Sequence, residues 1–180
     1  MALKATICKV DLSVADLDRN VYENFSLTLA QHPSENEMRL MIRLLAFMLF
    51  ADERLEFGKG LSTDDEPDLW LKDLTGAIDL WVYVGQLDER WLRKASNRAK
   101  RMVVIAYGDR AVDVWWQQNK VALERLANLT VYRLSGDEAQ ALAGLVRRTM
   151  TLQCMIQDGE VLVTADHGVA RITPSVLLHP

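Results

Sequence analysis

The sequence predicts a single α/β (α+β) domain, a mixed sheet flanked by helices, with a β-hairpin toward each end of the chain. Three observations predict it. Apolar and polar residues alternate near both ends, at Leu3–Leu12 and Thr151–Thr164. Strand-like runs alternate with helical ones from Ala77 to Leu134, which implies parallel strands joined by helical crossovers. Between these regions, Met38, Met41, Ile42, Leu44, Leu45, Phe47, Met48 and Leu49 cover most of a helix circumference, the pattern of a helix buried on several sides. A chain of 180 residues, 49% hydrophobic and 26% charged, fits one domain over 1–180 and needs no disulfide or metal to hold a core.

Each element follows from local pattern. Leu3–Leu12 and the alternating Phe25–Ala30 run flank the polar ADLDRN segment and read as an antiparallel hairpin. Ser34 and Glu37 have capping-box spacing and open a helix to about Phe50, within one central sheet's core. Three short strands are expected at about Arg54–Leu61, Asp68–Lys72 and Ala77–Gly85, then a helix from Asp88 to about Lys100. A strand at Met102–Tyr107, a helix at Arg110–Leu126 and a strand at Leu129–Leu134 continue the alternation. Ser135 and Glu138 repeat the capping-box spacing before a helix to about Arg148. Asp158-Gly159 suits a tight hairpin between Thr151–Ile156 and Glu160–Thr164, and a last strand is expected at Val169–Thr173.

Charge and motifs exclude several function classes. The net charge is -4, so nucleic-acid binding by bulk charge is excluded and any such binding needs a local basic patch. Two isolated cysteines, Cys8 and Cys154, suit a reducing compartment. MALKATICKV lacks the apolar core of a signal peptide, and Leu40–Ala51 is too short to span a bilayer. These features read as a soluble cytoplasmic protein with no membrane partner. No GxGxxG, Walker A loop or GxSxG elbow occurs. His32, His167 and His179 have no metal-ligand spacing and read as loop or terminal residues. Trp81 reads as core, and Trp115-Trp116 cannot both face inward on one helix.

The segments MALKATICKVDLSVADLDR, LAQHPSE, LLAFMLFADERLEFGKGLS, EPDLWLKDLTGAIDLWVYVGQ, RTMTLQ and IQDG together resemble the YaeQ family of bacterial proteins, over nearly the whole chain. That resemblance implies a variant of the PD-(D/E)XK nuclease-like fold, a restriction-endonuclease-like mixed sheet flanked by helices, in a family without an established biochemical activity. The chemistry usual for that fold is metal-assisted phosphodiester cleavage, in which carboxylates hold Mg²⁺ or Mn²⁺ through oxygen and a lysine or similar group stabilises charge.

Carried onto this chain, the resemblance places the Pro-Asp step at Pro67-Asp68, with Asp68 as a catalytic and metal-binding carboxylate. The next acidic position falls on Tyr83, a poor ligand for a hard cation near neutral pH. Asp79 shares the parity of Trp81 and Tyr83 and reads either as a site carboxylate or as the polar side of an edge strand. Gln86 stands as a polar substitute for the missing lysine, and Lys94 on the following helix could reach back. Glu35, near the start of the first long helix, is the further candidate ligand, although it also suits the positive helix end by itself. Arg90, Lys94, Arg98 and Arg101, flanked by Arg93, form a basic stripe that could hold a nucleic-acid backbone; a solvated helix face is the alternative. The resulting expectation is a nucleic-acid or phosphate-ligand binder with metal-dependent nuclease chemistry weakened by Tyr83. The alternative is a non-catalytic interaction or regulatory module on the same fold.

Overall fold

The computed structural model describes residues 4–59 and 66–180. Its elements in chain order are β1 (Thr6–Asp16), β2 (Val21–Gln31), α1 (Glu37–Leu49), β3 (Leu55–Phe57), β4 (Leu69–Lys72), β5 (Ile78–Val84) and α2 (Glu89–Ser96). There follow β6 (Ala99–Tyr107), α3 (Arg110–Leu123), β7 (Leu129–Leu134), α4 (Gly136–Ala143), β8 (Thr149–Gln157), β9 (Glu160–Ala165), β10 (Gly168–Ile172) and β11 (Ser175–Leu178).

The strands form two sheets where the sequence suggested one. The first has the order β10-β9-β8-β1-β2 and the second β11-β7-β6-β5-β4-β3. The two hairpins join each other through a parallel β1–β8 pairing, Lys9↔Thr149 to Asp16↔Ile156. Helix α1 supplies the reason. Its residues Leu40 to Met48 are all buried, so its apolar surface needs a cover on more than one side. The inward parities of β1 and β8, with Val10, Leu12 and Val14 beside Met150, Leu152 and Cys154, cover one side. Leu69, Leu80, Val82, Val103 and Ile105 of the second sheet share the same core.

Strands β5, β6 and β7 are parallel, as the alternation predicted. Their opposite parity, including Trp81, Tyr83, Met102 and Val104, packs under Leu92 of α2 and Val112 and Trp115 of α3. The helix opened near Ser34 and the helix opened by Asp88 therefore cover opposite faces of one sheet, where the sequence suggested a shared core. Asp68 immediately precedes β4, which pairs with β5 from Leu69↔Val82 to Lys72↔Ile78. The two candidate strands thus lie side by side.

Several boundaries move for local reasons. Asn36, with its side chain accepting from Arg39 N at 2.8 Å, caps α1; Ser34 instead pairs with His32 Nδ1. The first hairpin is longer than expected and turns at Leu17–Asn20. Strand β3 ends at Phe57, and the part of its expected span from Gly60 lies outside the described residues. Helix α2 stops at Ser96 because parallel pairing with Ile78 already captures Ala99. Helix α4 stops at Ala143, and Arg148 then accepts a backbone bond from Lys9 at the entrance to β8. Strand β11 carries no alternating pattern; pairing with β7 alone makes it a strand. Trp115 is buried with its indole N–H donating to Leu87 O at 2.8 Å, while Trp116 is only half-buried.

The capping box of α4 is complete: Ser135 accepts from Glu138 N, and the Glu138 carboxylate accepts from Ser135 N at 2.9 Å. Ser135→Ala should cost about 1 kcal/mol in urea unfolding. A loss below a few tenths would show that tertiary packing alone holds that turn.

Cys8 and Cys154 are buried. Burial, reinforced by the charge of Asp16, pushes the Cys154 thiol up to about 12. In the unfolded chain this thiol ionises near pH 8.5. The contribution of the buried thiol is therefore fully present below that pH and is lost as pH rises toward about 12. Cys154→Ala should flatten the alkaline fall in stability measured by urea unfolding. An unchanged slope would place the alkaline transition elsewhere.

Candidate functional site

The carboxyl ends of β5 and β6 and the approach to β4 bring charged groups together beneath α1. Pro67 and Asp68 enter β4 through a close backbone contact: Gly58 N donates to Asp68 O at 2.9 Å. A Cβ at Gly58 would stand 2.0 Å from Pro67 O, so only glycine fits. Gly58→Ala should push the Pro67-Asp68 step away and destabilise the protein by about 1–3 kcal/mol. Thermal unfolding would read the loss, and an unchanged melting temperature would refute the close approach.

Asp68 is 5% exposed and fully engaged. Its backbone N–H donates to Val82 O at 3.0 Å. Its Oδ2 accepts from Val84 N at 2.7 Å, and its Oδ1 accepts from Arg39 Nη2 at 2.7 Å. Glu35 lies in the turn before α1. Its Oε1 accepts from Arg39 Nη1 at 2.9 Å and from Arg43 Nε at 2.8 Å, and its Oε2 accepts from Arg43 Nη2 at 2.8 Å. Arg43 Nη2 also donates to Ala30 O at 2.9 Å, and Arg39 Nη2 to Val84 O at 3.2 Å. The spacing of four residues from Glu35 to Arg39 to Arg43 places all three along one line at the start of α1.

The result is a buried chain of alternating charge, Arg43–Glu35–Arg39–Asp68. Burial alone would lower the Arg39 pKa, but Asp68 and Glu35 outweigh it and hold Arg39 above the ordinary arginine range. Tyr107 stands beside this chain at the end of β6. Burial raises its phenol above the ordinary tyrosine value; Arg39 opposes that rise and the two carboxylates add to it. Gln86 Nε2 donates to Tyr107 O at 2.9 Å, tying the loop after β5 to the end of β6. Gly85, at φ 111°, makes the left-handed turn that releases this loop from β5.

Two of the sequence candidates, Glu35 and Asp68, thus meet, with Gln86 at the same edge of the sheet. The others lie elsewhere. Asp79 is near the start of β5, five residues before Val84 and roughly 16 Å along the strand at about 3.3 Å per residue. There it pairs with Lys100 Nζ at 2.6 Å on an interior strand, so it is neither beside Asp68 nor on an edge. Tyr83 faces the α2 side, its ring 5.8 Å from that of Trp81, away from the α1 face that carries Arg39. Lys94 lies over Trp91 at 5.5 Å, on α2 and not at the Asp68 carboxylate.

The basic stripe is divided by the fold. Arg90 pairs with Asp88 at 3.2 Å, and Arg93 pairs with Glu89. Arg98 lies 4.9 Å over Trp81, on the outer face. Arg101 belongs to β6 and lies over Phe50 at 5.3 Å, on the inner face, so it leaves the row predicted for one helix. The residues that sequence reasoning missed are Arg39 and Arg43. A visible signal existed: Arg43 interrupts an apolar run, four residues after Arg39 and eight after Glu35.

The carboxylates do not fit a Mg²⁺ or Mn²⁺ ion as arranged. Each is already neutralised by a guanidinium, and a hard cation wants several free oxygens. Among the described residues no three His, Cys, Asp or Glu side chains cluster to hold a metal.

Comparison with known proteins agrees with this architecture. The profile of the family described as "YaeQ protein" matches residues 1–174. A protein of Escherichia coli K12 named "Uncharacterized protein YaeQ" is 48% identical over 180 residues, covering 100% of this chain and 99% of that protein. The crystal structure of the YaeQ protein from Xanthomonas axonopodis pv. citri superposes with a TM-score of 0.95 at 53% identity, over 98% of this chain and 99% of that one. The YaeQ protein from Pseudomonas syringae gives a TM-score of 0.93 at 38% identity, over 98% and 97% of the two chains. Sequence match along almost the full length and near-coincident folds lead to one conclusion: this chain belongs to the YaeQ family.

Proposed function

We propose that this protein binds a phosphate-bearing ligand of nucleic-acid type along the outer face of α2, next to the edge that holds Arg39 and Asp68. One observation carries the reading: between Asp88 and Arg98 the chain has four cations, Arg90, Arg93, Lys94 and Arg98, against two carboxylates, in a protein whose net charge is -4. Arg90, Lys94 and Arg98 recur at spacing four and are exposed. A phosphate backbone running along them would exchange its counterions for these side chains. The carboxyl edge of parallel strands is also where open α/β sheets commonly receive ligands. The proposal stops at binding. No cleavage step is derived, because Asp68 and Glu35 are committed to arginines.

Fluorescence anisotropy with a labelled single-stranded oligonucleotide tests the reading. Affinity should fall with salt at a log–log slope of roughly -2, about -0.7 for each of three phosphate contacts. Lys94→Glu with Arg98→Glu should abolish binding while leaving the fold intact. Absence of binding at low salt, or equal binding by the double variant, would reduce the row to a solvated helix face. A calorimetric titration with Mg²⁺ should show only weak binding, and tight binding would mean that Arg39 yields its carboxylates to the ion.

A further inference from the structure

Each of the two sheets ends in two edge strands, and three of these edges are blunted. Strand β10 has 5 residues, β3 has 3, and β11 has 4 with a break in register between Val176 and Leu178. Strand β2 differs. It runs 11 residues, Val21–Gln31, without proline, glycine or lysine. It pairs with β1 without a bulge from Asp16↔Val21 to Thr6↔Gln31. Glu23, toward one end, is its only charged side chain. A long, regular edge with so few guards is an open template for another strand.

Backbone alternation decides which groups that edge offers. Lys9 N donates to Arg148 O and Leu17 N to Ile156 O, so the odd-numbered residues along β1 turn their backbone groups toward β8. The even-numbered Cys8, Val10 and Leu12 therefore bond Leu29, Leu27 and Phe25 of β2. The even-numbered residues of β2 are left facing outward. Ala30 agrees, because its carbonyl accepts from Arg43 Nη2 at 2.9 Å. The N–H and C=O groups of Tyr22, Asn24, Ser26 and Thr28 face the same way, and no backbone bond beyond the β1–β2 ladder reaches them among the described residues.

The side chains of this edge suit the same strand reversed. Ser26 is the midpoint of β2, so a two-fold axis through it overlaps the whole strand with that of a second copy. Asn24 then stands opposite Thr28 of the second copy, and Phe25 opposite its Leu27. Phe25 and Leu27 pack toward the core yet are only half-buried, and a further strand would close their open side. Glu23 falls opposite Leu29, so no like charges meet across the axis.

We propose that β2 is the contact between two copies of this chain, joined antiparallel about a two-fold axis at Ser26 so that their five-stranded sheets become one. A two-fold contact uses one patch twice, so it needs only the self-complementary edge that β2 presents. Strand addition draws its affinity from the main-chain hydrogen bonds, here those of Asn24, Ser26 and Thr28.

Sedimentation velocity and amide hydrogen exchange on the full chain test the proposal. The wild type should sediment as a dimer that dissociates on dilution, with the amides of Asn24, Ser26 and Thr28 protected in the dimer. Ser26→Pro removes an outward N–H, which an edge strand tolerates. It should weaken the dimer by on the order of tenfold or more, because both hydrogen bonds at the axis are lost. Asn24→Lys with Thr28→Lys sets lysines opposite each other across the axis and should leave a monomer. Asn24→Lys with Thr28→Glu sets opposite charges in the same places and should dimerise as the wild type does. Both positions are exposed, so these variants keep the question decidable even if the proline variant does not fold. A wild type that stays monomeric throughout its soluble range would overturn the proposal, even if β2 captured a strand of another protein. So would a dimer that the double-lysine variant leaves unchanged, or amide protection confined to another edge.

Discussion

Glu35→Gln should destabilise this protein by about 3–5 kcal/mol, the cost of leaving a buried charge without its partner. Glu35 is 6% exposed and Arg43 2% exposed, so water cannot replace the lost carboxylate. The amide oxygen of glutamine can still accept from Arg39 Nη1 and Arg43 Nε, but it carries no charge, and an NH2 donor replaces the Oε2 that now accepts from Arg43 Nη2. Glutamine conserves the volume, so the effect isolates charge from packing. The double change Glu35→Gln with Arg43→Met should recover much of the loss, because an apolar side chain of similar length no longer needs a counter-charge. Urea unfolding of the two variants reads both values. Equal instability of single and double variants would mean that the cation at Arg43 is not what makes the single change costly.

Phe47→Ala is the second large effect, at about 3–5 kcal/mol. Phe47 is 2% exposed and packs edge-on to Phe25 at 5.0 Å and stacked on Phe57 at 5.6 Å. One ring therefore joins α1 to β2 of the first sheet and to β3 of the second. Removing it opens a cavity between α1 and the Phe25 and Phe57 rings, which the rigid sheets cannot close. The unfolding transition should remain cooperative with a lower midpoint. A loss below about 1 kcal/mol would show that the two sheets collapse onto the smaller side chain.

Much of the architecture was legible in the residues. The period of two in β1 and β8, the period of 3.6 in α1 and the alternation from Ala77 to Leu134 are local consequences of which residues are apolar. The Ser135–Glu138 box was legible for the same reason, since cap and partner are three residues apart. Its counterpart at Ser34 failed because Asn36, two residues on, competes for the same role and captures Arg39 N.

The candidate site was legible only in halves. Asp68 and Glu35 could be named from their settings, a Pro-Asp step and a helix start. Their meeting could not, because the groups that join them, Arg39 and Arg43, look like ordinary helix residues until β4 is placed beside α1. Asp79, Tyr83 and Arg101 show the converse. Each sits near a candidate in sequence, yet strand pleating and pairing send Tyr83 to the outer face, Arg101 to the inner one and Asp79 to the far end of β5. Hydrophobic period is a property of neighbours along the chain, and it was enough to give most of the elements, the parallel core of the second sheet and the burial of α1, though not β11. That the hairpins form a second sheet, that the carboxylates belong to arginines and that Arg101 turns to the inner face followed from packing alone. Those outcomes depend on which faces meet, and a face acquires its partner only when distant segments pack.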